Sequence, residues 1–325
     1  MFGRLREFWE FPRKNERLRK GLARANDHIA RQRLRIKRLK EGGQDPHSIR
    51  PENIVWIFGS GRTGSTWLSE MMRDLPVHTR WNEPLVGHLF GHTYYERGNY
   101  RKDDPTDRHF ILGGDREIWL SSIRGFVLSA ATAKFPERID GGYLVIKEPH
   151  GSLGAPLLME ALPESRMVFL VRHPGDVVAS TLDAHRKGSW PEVRRGKRER
   201  RTLAQEQPDR LVNSRSRSYL RDIEYVKQAY EAHKGCKVLV RYEDLRANTL
   251  GTMKRIYSAL EIAVDERDLA KAVDKYAWEN IADKKKGEGK FFRKATPGGW
   301  REDLTSEQAR IVEEVTRPLL EEFYP

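Results

Sequence analysis

The chain has 325 residues, 38% of them hydrophobic and eight of them Trp, which is enough for one large α/β core and excludes a wholly disordered protein. Its one cysteine, Cys236, excludes a disulfide framework, and no Cys and His spacing fits a structural zinc site. A net charge of +13 points to anionic partners, a class that covers nucleic acid, an anionic membrane face and a polyanionic cosubstrate.

The first ten residues, Met1 to Glu10, are interrupted by charge and lack the continuous apolar core of a secretory signal. No run of about 18 apolar residues follows, so the expectation is a cytoplasmic protein. Phe2, Leu5, Phe8, Trp9 and Phe11 lie among Arg4, Arg6 and Arg13, the composition of a segment that rests in a membrane interface. A hydrophobic staple against the main domain would read the same way. From Asn15 through Leu18, Leu22, Ala25, Ile29, Gln32, Ile36 and Leu39, steps of three and four alternate as in a heptad seam, and the other faces are dominated by Arg and Lys. Residues 1–41 are therefore expected to form a basic amphipathic helix. Three roles stay open for it: packing on its own domain, joining copies of the chain as a coiled coil, or peripheral contact of residues 1–40 with the inner face of an anionic membrane. Nucleic acid is not expected as a partner.

Residues 42–52 carry the Gly and Pro punctuation of a linker, so the main domain is expected over 53–325. Asn53–Phe58 is a short apolar, β-branched run that reads as a buried strand. A weaker run near Val77–Trp81 follows, then Tyr143–Lys147, Met167–Val171 and Lys237–Arg241. Helical patterns over Asp115–Lys134 and Asp209–Lys234 separate them, while Arg186–Gln207 is basic, poor in apolar residues and expected to be a surface excursion. This alternation predicts an α/β fold: a P-loop-like, mostly parallel sheet with helices on both faces.

After the first strand runs Gly59-Ser60-Gly61-Arg62-Thr63-Gly64-Ser65-Thr66. A glycine-rich loop between strand and helix binds anions because its N–H groups converge beside the positive helix end. Gly59 and Gly64 have the separation of a nucleoside-triphosphate loop, but Ser65 stands where that motif needs Lys. Nor does an apolar strand end in a magnesium-holding Asp, since the nearest candidates end in Lys147 and Arg172. These two absences count against a P-loop kinase or nucleotidase. A basic scaffold for membrane or nucleic acid is the other alternative.

Four ordered motifs extend the pattern: Arg62-Thr63-Gly64-Ser65-Thr66-Trp67; Arg172 ahead of Asp176 and Ser180; Tyr242-Glu243-Asp244-Leu245; and Arg293-Lys294 ahead of Gly298 and Trp300. Together, across about residues 53–302, they resemble the sulfotransferases that use 3′-phosphoadenosine 5′-phosphosulfate (PAPS). The resemblance implies that Gly61, Arg62, Thr63, Gly64, Ser65 and Thr66 hold the 5′-phosphosulfate and that Trp67 stacks on adenine. It implies further that Arg172 and Ser180 grip the 3′-phosphate, that Tyr242 contacts adenine, and that Arg293, Lys294, Gly298 and Trp300 form a late donor-binding loop. Ala295 and Gly299 depart from the family's Gly and Asp in that loop. PAPS is thus the implied cosubstrate, 3′,5′-ADP its product, and no metal is expected.

Sulfuryl transfer needs a base for the acceptor's proton and cations for the charge on the moving group. In Trp81-Asn82-Glu83-Pro84, Glu83 resembles the catalytic Glu of tyrosylprotein, carbohydrate and bacterial members. His150, in Lys147-Glu148-Pro149-His150, resembles the base of cytosolic members, although Pro149 disturbs its spacing. Glu83 is preferred. Lys147 and Arg62 are expected to neutralise charge at the sulfate-bridging oxygen. No acceptor motif is readable; a carbohydrate, a glycolipid or another small amphipathic molecule with a hydroxyl or amine is expected.

Overall fold

The computed structural model describes residues 49–97, 110–135, 142–185, 189, 207–287, 290 and 296–325. The expected helix over 1–41, most of the linker, Arg186–Gln207 apart from Ser189 and Gln207, and Arg293, Lys294 and Ala295 lie outside the described residues.

The apolar runs form five strands: β1 (Ile54–Phe58), β2 (His78–Asn82), β3 (Tyr143–Lys147), β4 (Arg166–Val171) and β5 (Lys237–Arg241). They make one sheet in the order β2-β3-β1-β4-β5, with every pair parallel. β1 begins at Ile54 rather than Asn53, because Pro51–Asn53 closes a 3-10 turn whose proline cannot donate to a ladder. Eleven helices surround the sheet among the described residues: α1 (Ser65–Arg73), α2 (Val86–Gly91), α3 (Arg116–Lys134), α4 (Ala155–Ala161), α5 (Pro174–Ala184), α6 (Pro208–Ala232), α7 (Tyr242–Ala247), α8 (Thr249–Ala259), α9 (Glu266–Lys275), α10 (Trp300–Asp303) and α11 (Ser306–Phe323).

The two faces of β1 show how the core is divided. Ile54, Trp56 and Phe58 pack with Trp119, Ile123 and Val127 of α3 and Tyr219, Ile223 and Val226 of α6. Val55 and Ile57 pack on the opposite face with Leu68, Met71 and Met72 of α1 and Met253 and Ile256 of α8. Strands covered on both sides read as continuous apolar runs, which is why they were visible in the sequence. Ile49 belongs to the first cluster, and its N–H donates to Thr132 Oγ1 at 3.2 Å. Core packing therefore starts inside the segment read as linker, since one buried isoleucine outweighs its Pro and Gly neighbours.

This topology places the site. From β1 the chain crosses to β2 on one side of the sheet, and from β4 it crosses to β5 on the other. Chain order reverses between β1 and β4, the place outside the carboxyl ends where open α/β sheets bind their ligands. The register sets Ile57 beside Lys147 and Lys147 beside Asn82, so the residue after β2, Glu83, is level with the end of β3.

Candidate active site

The loop after β1 is built by close approach. A Cβ on Gly59 would lie 2.3 Å from the Leu170 carbonyl, and one on Gly64, at φ 92°, would lie 2.6 Å from the Tyr242 ring. Thr63 Oγ1 donates to the Ser60 carbonyl at 2.7 Å, and the Gly59 N–H donates to Ser152 Oγ at 3.1 Å. Between the glycines, Arg62 takes the left-handed φ of 74°. Gly64 precedes α1 and offers no side-chain cap, so the first-turn N–H groups at Ser65 and Thr66 stay open toward an anion.

On one side of the loop, Arg62 Nε donates to Ser180 Oγ at 3.0 Å, and Arg172 Nη1 donates to the Arg62 carbonyl at 3.1 Å. Arg172 also lies 4.2 Å over the Tyr242 ring, and its buried Nε has no partner. Tyr242 is buried and meets Trp67 edge-on, with 6.1 Å between ring centroids. The Trp67 indole N–H donates to the Tyr276 carbonyl at 2.8 Å. The late loop is tied in by Asp176, which is fully buried and accepts the Gly298 N–H at 2.8 Å and the Trp300 N–H at 3.1 Å. Trp300 stacks on His173 at 5.1 Å, with the rings 9° from parallel. Burial pushes the His173 pKa down to about 4, so the ring is neutral at pH 7 and its Nδ1 accepts the Gly175 N–H at 3.2 Å.

On the other side, Lys147 Nζ donates to Glu83 Oε1 at 2.6 Å and to Thr66 Oγ1 at 3.0 Å. The lysine is buried, whereas the Glu83 side chain is 31% exposed. Burial lowers the Lys147 pKa, and the Glu83 carboxylate opposes that shift. Glu83 stands at φ 49° and Leu85 at φ 62°, both left-handed. A hidden carboxylate holds this turn: Glu148, fully buried, accepts the Leu85 N–H at 3.1 Å and the Gly87 N–H at 3.3 Å. Burial pushes the Glu148 pKa up to about 7.

His150 lies against Gly61, where a Cβ would come 2.9 Å from its Cε1, and desolvation by the surrounding protein lowers its pKa although the residue reaches solvent. Among the described residues His150 makes no hydrogen bond to Lys147 or Glu83.

The structure thus brings Gly61, Arg62, Thr63, Gly64, Ser65, Thr66, Trp67, Glu83, Lys147, His150, Arg172, Ser180, Tyr242, Gly298 and Trp300 together around the carboxyl ends of the strands. The Arg62 guanidinium reaches Ser180, while Lys147 reaches Thr66 and Glu83. Sequence reasoning gave no role to Ser152, Asp176, Glu148, Arg215 or Asp222. Of these, Glu148 and Asp176 had a signal: Glu148 directly follows β3 and Asp176 lies in the first turn of the helix after β4, where α/β sites collect their side chains.

The family model described as "Sulfotransferase family" matches residues 55–266. The chain belongs to the sulfotransferase family. No curated protein matches it. Mouse sulfotransferase SULT7A1, solved in complex with PAP, is 14% identical, with 85% of this chain and 90% of that chain covered and a TM-score of 0.52. Sulfotransferase STF9 from Mycobacterium avium is 13% identical, with 85% of this chain and 78% of that chain covered and a TM-score of 0.51. These likenesses show that this sulfotransferase has the fold of both. Among its described residues no helix is long and apolar enough to cross a membrane, and no cluster of His, Cys, Asp and Glu could hold a metal.

Proposed function

We propose that this sulfotransferase draws its sulfuryl group from PAPS and passes it to a hydroxyl or amine of a carbohydrate, glycolipid or other small amphipathic acceptor, with Glu83 as base. One observation carries the reading: Lys147 is hydrogen-bonded at once to Thr66, at the open end of α1, and to Glu83. A single buried cation therefore joins an anion-binding loop to an accessible carboxylate.

The residues present fit the donor. The uncapped start of α1 suits a 5′-phosphosulfate. Arg172, with its unpartnered Nε, suits a second phosphate beside Ser180, and the same two residues match the family's 3′-phosphate grip. PAPS supplies an electrophilic sulfur with a nucleotide leaving group. Glu83 takes the proton from the acceptor as its oxygen or nitrogen bonds to sulfur, and the bond from sulfur to the 5′-phosphate oxygen breaks to release 3′,5′-ADP. Lys147 neutralises charge gathering on that leaving oxygen, a contribution of about 10²–10³ in rate for one preorganised donor. Glu83 is preferred to His150 because only Glu83 shares Lys147 with the loop.

The domain division stays part of the proposal: a basic helix over 1–41, a linker, and the transferase domain. Segment 1–40, with its aromatic and basic residues, is proposed to hold the domain at an anionic membrane. Unchanged liposome binding after its deletion would remove that part.

The enzymatic reading is tested by incubating the protein with [35S]PAPS and a panel of glycolipid, carbohydrate and amine acceptors. Label transfer by wild type and its loss in Glu83→Gln are expected. Transfer undiminished in Glu83→Gln would remove Glu83 as base.

A further inference from the structure

Arg215 lies in the first half of α6 and belongs to none of the four motifs. Its Nη2 donates to Ser60 Oγ at 2.9 Å and to the Gly61 carbonyl at 2.7 Å. The Ser60 hydroxyl in turn donates to Asp222 Oδ2 at 2.7 Å. Residues 215 and 222 are two turns apart on one helix, so α6 presents a cation and a carboxylate to the same loop residue from the same face. Arg215 itself bonds only to neutral acceptors, and its buried Nε has no partner.

A second arginine acts on the next peptide group, where Arg172 Nη1 donates to the Arg62 carbonyl at 3.1 Å. Two consecutive loop carbonyls, those of Gly61 and Arg62, are thus each held by an arginine from a different element. In a trans peptide the C=O and the following N–H point in opposite directions. Holding the Gly61 carbonyl turns the Arg62 N–H away from Arg215, and holding the Arg62 carbonyl turns the Thr63 N–H away from Arg172. The residue between these peptides is Arg62 at φ 74°, a conformation that a non-glycine residue keeps only when its surroundings impose it. Gly61 is also pressed by His150 from the side, where no Cβ would fit.

We infer that Arg215 is a positioning residue of the donor site: with Arg172 it clamps the two peptide groups flanking Arg62, so that their N–H groups face the 5′ anion of the donor. The inference rests on the PAPS reading. It assigns α6, which the motifs leave out, a part in the loop's shape, and makes Ser60 the link through which Asp222 steadies it. A helix that merely packed on the domain would affect stability and leave ligand preference alone.

The discriminating readout is the ratio of two affinities, measured by calorimetry at fixed salt on the full chain. 3′,5′-ADP carries a 5′-phosphate and adenosine 3′-monophosphate does not. Arg215→Met is expected to weaken 3′,5′-ADP about tenfold or more, the loss of charge-assisted hydrogen bonds, and to change adenosine 3′-monophosphate by about twofold or less. Arg215→Lys keeps the charge but cannot fork to both acceptors, so its ratio should fall between wild type and Met; it decides the matter if the Met variant does not fold. Ser60→Ala, which removes the tie to Asp222 and one acceptor of Arg215 but leaves the bond to the Gly61 carbonyl, should shift the ratio in the same direction by less. Wild type binding 3′,5′-ADP while Arg215→Lys keeps an unmoved ratio overturns this inference alone. Wild type binding neither nucleotide overturns the donor reading and the inference with it.

Discussion

The two sides of the site are built by different means. The loop side is largely local: Gly59 to Trp67 runs unbroken from β1 into α1, and Arg172, from beyond β4, reaches back to the Arg62 carbonyl. The acceptor side is assembled from afar, since Glu83 follows β2, Lys147 ends β3, and the turn between Glu83 and Gly87 is held by the buried Glu148. A site formed by one continuous loop can be recognised as a motif. A site formed by convergence depends on register, and only the structure sets it.

The comparison is sharpened most by Glu83→Gln, which leaves the loop intact and removes the base. Turnover should fall about 10²–10⁴-fold, with 3′,5′-ADP affinity unchanged, as stopped-point transfer assays and calorimetry would report. A matching loss of nucleotide affinity would mean that the two sides are not separable. Next in size is Lys147→Ala, the residue shared by both: about 10²–10³ in kcat with the fold preserved by circular dichroism. His150→Ala should change kcat by less than about tenfold, and a larger loss would move the base to His150. On the donor side, Ser180→Ala removes a single neutral acceptor from Arg62 and should weaken 3′,5′-ADP about three- to tenfold while sparing kcat.

The smallest effect is on stability and concerns the hidden support of the acceptor side. The Glu148 pKa is raised by burial from the ordinary carboxylate value to about 7, so between those values the folded protein holds a proton that the unfolded chain has lost. Its contribution to stability is full below about pH 4.5 and is lost as pH rises through about 7. Glu148→Gln cannot titrate. The thermal midpoint of this variant relative to wild type should therefore rise between pH 5 and pH 8, by a few degrees on the scale of about 1–3 kcal/mol. A difference that is flat with pH would show that Glu148 is ionised throughout and that the Leu85 and Gly87 N–H groups compensate its burial.

Much of the fold could be read from the sequence because β1, β3 and β4 are buried along almost their whole length and so appear as unbroken apolar runs, whereas β2, polar and only partly buried, gave a weaker signal. The five strands lie within one residue or so of their expected limits, and α3 and α6 within two. Short helices such as α4 and α7 were not distinguished, since six or seven residues hold too little of a 3.6-residue period. At the site, residues inside contiguous motifs were found, but the bond from Arg62 to Ser180 was not foreseen, because sequence order cannot tell where a long side chain reaches. Arg215 was illegible for another reason. It shares α6 with Arg210, Arg217 and Arg221, and a row of arginines on a helix reads as a solvated face until the Gly61 carbonyl is seen opposite one of them.

A donor site for a nucleotide with phosphates at both 3′ and 5′ positions is tested most directly by thermal shift with matched concentrations of 3′,5′-ADP and magnesium ATP. The unfolding midpoint is expected to rise with 3′,5′-ADP and to stay unchanged with magnesium ATP. Stabilisation by magnesium ATP with no response to 3′,5′-ADP would contradict it.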